Sequence, residues 1–390
     1  MLHRRKTLID NLHNPIFCQQ LFHRCLRTKS SHGYGDLCRK NKAEKYGEDE
    51  EEEGQIRLFK SRGQHLLTNP RVLDSIVRTS NIKPDDTVLE IGPGTGNLTL
   101  KLLEAAKSVV AVEIDNRMVE ILRKRAAERG FEDRLNIVNG DALKTVFPKF
   151  NLVVANIPYG ISSPLLAKLV YGANVSPFRS ATLLLQKEFA RRLLAKPGDS
   201  EFNRLAVNMN LVAKVEFVMD VSKRDFVPCP KVDSSVVKIY PKTEIPNVDL
   251  DEWWAFTRTC FSKKNKTLGA TFKQKRKLME LMELYKPVGL SEDSNLKWRE
   301  YDSNGDGDEE CDSDDGGSDN GISILKGKII SVLESGGFLD KRPSKLSNDD
   351  LLRLLYLFNE AGIYFHDQAK GKDTCDAAYA ACDDLLSQQV

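Results

Sequence analysis

Short apolar segments alternate with amphipathic ones between residues 87 and 186, and this alternation restricts the fold more than any other feature of the chain. Helical patterns separate the apolar segments, one beginning near Asn97 and another covering 116–129. Strand and helix alternating at this spacing predict an α/β fold, with a parallel sheet covered by helices on both faces. The predicted strands are 87–92, 109–114, 135–138, 152–156 and 181–186, and 236–240 is predicted as the last strand of the core.

A glycine-rich loop, Gly92-Pro-Gly94-Thr-Gly96, follows the first of these strands. It lies at the carboxyl end of the strand, which is the edge at which such sheets bind ligands. Glycines there let the backbone approach a ligand closely, because no Cβ intervenes. A dinucleotide-binding loop would have glycine at position 97, where this chain has Asn97. The loop alone therefore predicts a bound ligand without identifying it.

Acidic residues stand at the ends of the next two strands. Glu113 falls within the end of the second strand, where its carboxylate can accept hydrogen bonds from both hydroxyls of a ribose. Asp141 follows the third strand and could accept one from an adenine amino group. Together with the glycine loop they predict an adenosine-bearing cofactor. A nicotinamide dinucleotide and S-adenosylmethionine both satisfy this pattern.

The residues at the end of the fourth strand, Asn156-Ile-Pro-Tyr159, favour S-adenosylmethionine, because they suit the methylation of an adenine amino group. That amino group is a poor nucleophile, since its lone pair is delocalised into the ring, and a site that alkylates it must accept hydrogen bonds from its N–H groups. The Asn156 side-chain oxygen and the Ile157 carbonyl could accept hydrogen bonds from its two N–H groups. Pro158 fixes the local backbone, and Tyr159 offers a face on which the base can stack. An ordinary turn would explain the tetrapeptide if it stood alone.

Four separate motifs along the chain resemble, in their residues and their order, those of the ribosomal RNA adenine dimethyltransferase family. The resemblance covers residues 59–365. Within the family, the segments 187–192 and 196–199 resemble the eukaryotic branch. We expect a mitochondrial member of that branch. It implies a Rossmann-like S-adenosylmethionine-dependent methyltransferase fold with a smaller all-helical C-terminal domain. The motifs are Ser61-Arg-Gly-Gln-His65-Leu-Leu67, Glu90-Ile-Gly-Pro-Gly-Thr-Gly96, Asn156-Ile-Pro-Tyr159 and Phe226-Val-Pro-Cys-Pro-Lys-Val-Asp-Ser234.

The resemblance implies a reaction and a set of site residues. Two methyl groups would pass to each of two adjacent adenosines near the 3′ end of small-subunit rRNA, during rRNA processing and small-subunit biogenesis. The target base would lie between Tyr159 and Phe226. The predicted catalytic residues are Asn156, Ile157, Pro158, Tyr159 and Phe226. The predicted cofactor-binding residues are His65, Leu67, Gly92, Gly94, Gly96, Glu113, Asp141 and Asn156.

Two basic clusters predict contacts with RNA phosphates, although a solvated helix face is the alternative for each. The partner expected is small-subunit rRNA or the pre-ribosomal small subunit, bound by a monomer. No apolar stretch is long enough to cross a bilayer, so no membrane partner is expected. The first cluster is Lys263, Lys264, Lys266, Lys273, Lys275, Arg276 and Lys277. The second is Lys187, Arg191 and Arg192.

The net charge of +2 conceals blocks of opposite sign. Residues 1–47 carry +7, whereas 48–53 carry −6 and 302–319 carry −9, so the rest of the chain carries +10. A basic, acid-poor and weakly amphipathic leader is typical of a mitochondrial transit peptide, with a nuclear or nucleolar address as the alternative.

The spacing of the possible metal ligands is a further feature of the sequence. Residues 302–319 begin like a calcium-binding loop, but Ser313 stands where a bidentate Glu is needed. The cysteines and histidines do not have the spacing of a zinc site. No metal site is therefore predicted.

These patterns predict the organisation of the chain. Residues 1–55 form the leader and an acidic linker, and 56–245 form the methyltransferase domain. Residues 246–365 form the helical domain, interrupted by a disordered acidic insert at 294–321, and 366–390 form a tail.

Three other functions account for part of the sequence. A nicotinamide-dependent oxidoreductase would explain the glycine loop and Glu113, but it gives no role to the motifs at 156–159 and 226–234. A non-catalytic ribosome assembly factor or mitochondrial transcription factor could share the fold, yet this chain keeps both the cofactor carboxylates and the Asn-Pro-Tyr loop. A DNA adenine methyltransferase would use the same chemistry.

Overall fold

The computed structural model describes residues 64–174, 177–284 and 319–366. The described residues divide into two compact units, the first within 64–196 and 205–247 and the second within 197–204 and 248–366. The predicted leader and acidic linker, nearly all of the acidic insert and the tail beyond residue 366 lie outside the described residues.

The first unit is built around a seven-stranded sheet, and two very short strands, β1 and β8, pair separately. Its elements in chain order are β1 (Leu66–Leu67), α1 (Pro70–Thr79), β2 (Thr87–Ile91), α2 (Asn97–Ala105), β3 (Ser108–Glu113), α3 (Asn116–Ala127), β4 (Leu135–Asn139), β5 (Leu152–Asn156), α4 (Ser162–Tyr171), β6 (Ala181–Gln186), α5 (Lys187–Leu194), α6 (Arg204–Val212), β7 (Ala213–Val221), β8 (Phe226–Val227) and β9 (Ser234–Pro241).

The sheet has the strand order β4-β3-β2-β5-β6-β9-β7. The first five strands in this order are parallel, and all five were predicted within two residues of their observed bounds. The predicted parallel strands are therefore observed, and the sheet continues through β9, predicted at 236–240, which runs antiparallel to both β6 and β7. No α-helix separates β7 from β9, whereas a parallel pairing would need such a crossover.

The central strands are apolar on both faces because helices cover each face. Val88, Val109 and Leu152 are fully buried, and Leu102 of α2 and Leu122 of α3 belong to the same hydrophobic cluster. This packing fixes the carboxyl ends of β2, β3, β4 and β5 along one edge of the sheet, where the predicted site residues lie.

The second unit is helical, as predicted. An aromatic cluster forms its core: the Phe256 and Phe365 ring centroids lie 5.1 Å apart, and those of Phe272 and Phe358 lie 5.3 Å apart. No helix in the described ranges is long and apolar enough to cross a membrane. The helices are α7 (Leu250–Cys260), α8 (Leu268–Phe272), α9 (Lys275–Leu284), α10 (Asp319–Gly336) and α11 (Asn348–Glu360).

The predicted acidic insert at 294–321 lies almost wholly outside the described residues and stays a prediction. Helix α10 already begins at Asp319, the last acidic residue of the segment.

Candidate active site

The glycine loop between β2 and α2 turns through three residues in the left-handed region. Gly92, Gly94 and Gly96 have φ values of +68°, +57° and +88°. A Cβ at Gly94 would lie 2.8 Å from Cδ2 of Leu66, and one at Gly96 would lie 2.5 Å from Cδ1 of Leu122. Side chains are therefore excluded from the loop by both conformation and space. The resulting bare backbone at the sheet edge fits a closely bound cofactor.

The two predicted cofactor carboxylates follow adjacent strands. Glu113 is 7% exposed; its Oε2 accepts from Gly94 N at 3.1 Å, and its Oε1 accepts from the backbone N of Ile114 and of Asp115 at 2.9 Å each. Burial raises the pKa of Glu113, and these hydrogen bonds oppose the shift. A carboxylate has about four acceptor sites. Binding both ribose hydroxyls would therefore require one backbone bond to be shared or released.

Asp141 lies in a turn beside Glu113. Gly140 N donates to the Glu113 carbonyl at 2.9 Å, and Asp141 Oδ1 accepts from Leu143 N at 2.9 Å. The turn thus places a second carboxylate at the same edge of the sheet. An adjacent pair of carboxylates suits an adenosine, whose ribose hydroxyls and adenine amino group are all hydrogen-bond donors.

The Asn156–Tyr159 loop packs against the glycine loop. A Cβ at Gly92 would lie 3.2 Å from Cδ of Pro158 and 3.9 Å from the Asn156 carbonyl oxygen. Asn156 Nδ2 donates to the His65 carbonyl at 3.3 Å, which leaves Oδ1 as the acceptor of that amide. The Tyr159 hydroxyl is 2.7 Å from Ser234 Oγ, and burial raises the Tyr159 pKa.

Residues 64–67 link these loops to the 226–234 segment. Leu67 pairs with Phe226 in the β1–β8 ribbon, and His65 Nδ1 lies 2.7 Å from the Pro228 carbonyl oxygen. The His65 and Tyr159 rings are stacked with centroids 6.3 Å apart. The described residues of all four motifs therefore converge at one edge of the sheet, and residues 61–63 of the first motif lie outside the described residues.

Two of the predicted catalytic residues are buried. Phe226 is 3% exposed and belongs to the hydrophobic cluster that includes Leu67 and Val221. Its ring would have to turn out of this cluster to stack on a base, so its role opposite Tyr159 stays a prediction. The Ile157 side chain is fully buried, so only its backbone is suited to contact a substrate.

Two residues that were not predicted as site residues brace the glycine loop. Asn97, noted only as a departure from the dinucleotide pattern, donates from Nδ2 to the Leu67 carbonyl at 2.9 Å. Arg125 donates from Nη1 to Asn97 Oδ1 at 2.9 Å and to the Thr95 carbonyl at 2.5 Å. An asparagine immediately after the last loop glycine was the only available signal for this bridge.

Glu90 is a third missed residue, and an acid between the apolar Leu89 and Ile91 was the signal for it. It is 1% exposed on β2, and no residue within the described ranges hydrogen-bonds its Oε2. Burial raises the pKa of Glu90 from 4.5 to about 8, and the nearby charge of Glu113 adds to the shift. The side chain is therefore protonated at neutral pH.

We expect Glu90→Gln to change the pH dependence of stability. Between about pH 4.5 and pH 8 the folded protein retains a proton that the unfolded chain releases, so wild-type stability falls as the pH rises. Glutamine is neutral throughout, so the variant should melt higher than wild type at pH 9, on the order of 5 °C, and equally at pH 4. Thermal denaturation across this range measures the difference. Glu132→Gln, at an exposed position, is the control, and a constant offset for Glu90→Gln would contradict the prediction.

The predicted basic clusters are partly neutralised in the structure. On α5, Lys187 pairs with Asp220 at 2.7 Å. On α9, Glu280 pairs with Arg276 at 3.2 Å and with Lys277 at 2.6 Å. Glu280 lies outside the predicted cluster in sequence, but the helical repeat brings it beside both cations. The exposed cations that remain in the larger cluster are Lys263, Lys266, Lys273 and Lys275.

A Rossmann-like sheet whose edge carries residues suited to an adenosine, beside an Asn-x-Pro-Tyr loop, defines the class of S-adenosylmethionine-dependent amino-methyltransferases. The family model described as ribosomal RNA adenine dimethylase matches residues 57–304. The chain belongs to this ribosomal RNA adenine dimethylase family. The predicted family, fold class and cofactor are thereby confirmed.

Individual relatives agree with this assignment. A mitochondrial ribosomal RNA small subunit methyltransferase of Arabidopsis thaliana is 63% identical over 320 residues, which are 82% of this chain and 84% of that protein. A second ribosomal RNA small subunit methyltransferase of that plant is 46% identical over 338 residues, 80% of this chain and 94% of that protein. A dimethyladenosine transferase from Plasmodium falciparum, known from its crystal structure, is 40% identical in sequence and superposes with a TM-score of 0.63. The match covers 77% of this chain and 100% of that chain.

Proposed function

We propose that this protein methylates the N6 atoms of two adjacent adenosines near the 3′ end of small-subunit rRNA, twice each. The packing of the Asn156–Tyr159 loop on the glycine loop, through Pro158 and Gly92, carries the proposal. This packing supports the proposal because the acceptors for an amino group would then lie directly beside a site suited to an adenosine-bearing cofactor. When bound there, S-adenosylmethionine supplies an electrophilic methyl group on a sulfonium.

The residues of this chain act mainly by positioning. Asn156 Oδ1 and the Ile157 carbonyl accept the two N–H groups of the target adenine, so its nitrogen lone pair points toward the cofactor. Holding reactants in line can contribute on the order of 7–11 kcal/mol to lowering a barrier. No side chain has to remove a proton before attack, because the proton is acidic only after the nitrogen has been methylated.

The target base must leave its stack to reach this loop. Unstacking costs a few kcal/mol and is easiest in a single-stranded or loop region of RNA. Tyr159 can recover part of that cost by stacking on the base, since its hydroxyl contact with Ser234 fixes the ring.

The mitochondrion is the proposed location, with the nucleolus or nucleus as the alternative. The basic, acid-poor composition of residues 1–47 supports it. Of the two Arabidopsis thaliana relatives described above, the one named as mitochondrial has the higher identity, 63% against 46%. The enzyme would then act in rRNA processing and small-subunit biogenesis within that organelle.

Mapping dimethyladenosine in mitochondrial and cytosolic rRNA after gene loss tests both proposals. We expect the modification to disappear from mitochondrial rRNA, and to return with the full chain but not with a chain lacking residues 1–47. Loss from cytosolic rRNA alone would refute the location. Unchanged modification in both rRNAs would refute the activity and favour a non-catalytic assembly factor.

We expect the exposed lysines of the larger cluster to contribute to RNA affinity. Replacing Lys263, Lys266 and Lys273 by glutamine should weaken binding of small-subunit rRNA. It should also make the plot of log affinity against log salt less steep, by roughly 2–3, because each phosphate contact adds about 0.7–0.9 to the steepness. Filter binding at several salt concentrations measures it. Replacing Arg276 and Lys277, which already pair with Glu280, is the matched control and should change the slope less. Equal slopes for wild type and the triple variant would place the RNA elsewhere.

A further inference from the structure

Lys168 binds the turn that carries Asp141. The lysine lies on α4, which begins three residues after Tyr159. Its Nζ donates to the carbonyl oxygens of Ala142, Leu143 and Thr145 at 2.7, 3.1 and 2.5 Å. An ammonium group has three N–H donors, so it can bind several carbonyl oxygens at once.

The Asp141 turn needs such a partner. Lys144 N and Thr145 N both donate to the Asp141 carbonyl at 2.9 Å, which closes a single helix-like turn. In a single turn of this kind, the carbonyl groups that follow the first one receive no hydrogen bond from an N–H group of the turn itself. A cation near these carbonyl oxygens is electrostatically favourable. Lys168 satisfies three of them at once, and its ammonium also lies 4.2 Å from the centroid of the Phe147 ring.

We propose that Lys168 is a positioning residue, which holds the Asp141 carboxylate in place for recognition of the cofactor's adenine. The inference rests on the cofactor site proposed above. Asp141 Oδ1 is oriented by Leu143 N, and Lys168 holds the Leu143 carbonyl, so the cation acts on the carboxylate through one residue. Adenine recognition therefore depends on a charge supplied by the helix that follows the catalytic loop.

A lysine that only stabilises the fold would affect every ligand alike, whereas a positioning lysine affects the adenine amino group. Calorimetry on the full chain can separate these roles with two probes, S-adenosylhomocysteine and its analogue with hypoxanthine in place of adenine. The analogue lacks the amino group that Asp141 would bind. We expect wild type to prefer the adenine form.

In Lys168→Met we expect affinity for S-adenosylhomocysteine to fall roughly tenfold, the effect of one lost charged hydrogen bond, while affinity for the analogue stays nearly constant. Lys168→Arg retains a cation with several donors and should restore much of the preference. Lys149→Met, at an exposed position after the same turn, is the matched control and should leave both affinities unchanged. If Lys168→Met does not fold, Lys168→Gln, which keeps a donor, replaces it.

A double variant with Asp141→Ala completes the test. If Lys168 acts through Asp141, adding Lys168→Met to Asp141→Ala should cost little further affinity. Equal losses for both probes, or full additivity of the two substitutions, would overturn the inference while leaving the cofactor site intact. Failure of the wild-type chain to bind S-adenosylhomocysteine would instead refute the proposed function and, with it, this inference.

Discussion

Asn156→Ala should reduce methyl transfer to small-subunit rRNA by roughly 10²–10³-fold at saturating cofactor, the usual effect of removing one positioned hydrogen-bonding group at a reacting centre. Alanine removes the Oδ1 acceptor for the target amino group. It also removes the Nδ2 contact with the His65 carbonyl, so residues 64–67 lose one of their links to the catalytic loop. Single-turnover transfer of a labelled methyl group measures the rate of the chemical step.

Asn136→Ala is the matched control, because Asn136 is exposed on β4, away from the carboxyl edge of the sheet. It should react at the wild-type rate. Asn156→Ala that is folded, saturated with cofactor and fully active would remove Asn156 from the catalytic residues. A lower rRNA affinity with an unchanged maximal rate would contradict the positioning role equally well.

Glu113→Ala should weaken binding of S-adenosylhomocysteine by about 10²-fold or more. A hydrogen bond to a charged group contributes about 1.5–3 kcal/mol, and alanine removes every ribose contact of this side chain. It also leaves the backbone N–H groups of Gly94, Ile114 and Asp115 without their acceptor, which loosens the glycine loop. Calorimetry with the full chain measures the dissociation constant.

Glu113→Gln distinguishes the loss of the ligand contact from the loss of the loop. It keeps one acceptor oxygen but loses the charge, so an intermediate affinity is expected. Glu132→Ala, at an exposed position beyond α3, should bind as wild type does. An unchanged affinity in Glu113→Ala would show that the ribose is held by other residues.

Six of the seven sheet strands were predictable because their information is local. Segments such as 152–156 and 181–186 are wholly apolar or nearly so and are flanked by polar or helical residues, and the structure has both strands with these bounds. The glycine loop and the carboxylates that follow strands were predictable for a related reason. In a parallel sheet, residues after successive strands must meet at one edge.

Strand β7 was not predicted, because its residues alternate irregularly between exposed and half-buried positions and include Lys214, Glu216 and Asp220. Its antiparallel pairing with β9 depends on contacts between residues far apart in the chain. The same is true of the β1–β8 ribbon, in which Leu67 meets Phe226. Pairs of this kind leave no periodic signal in either segment.

The sequence by itself determined the family, the α/β class and the residue types of the site, since these depend on local periodicity and short motifs. Only the tertiary structure decided which groups act together. It buried Phe226, paired Glu280 with Arg276 and Lys277, raised the pKa of Glu90 by burial, and placed Lys168 on the carbonyls beside Asp141. Burial and electrostatic pairing are properties of the space around a side chain, and that space is filled by residues distant in sequence.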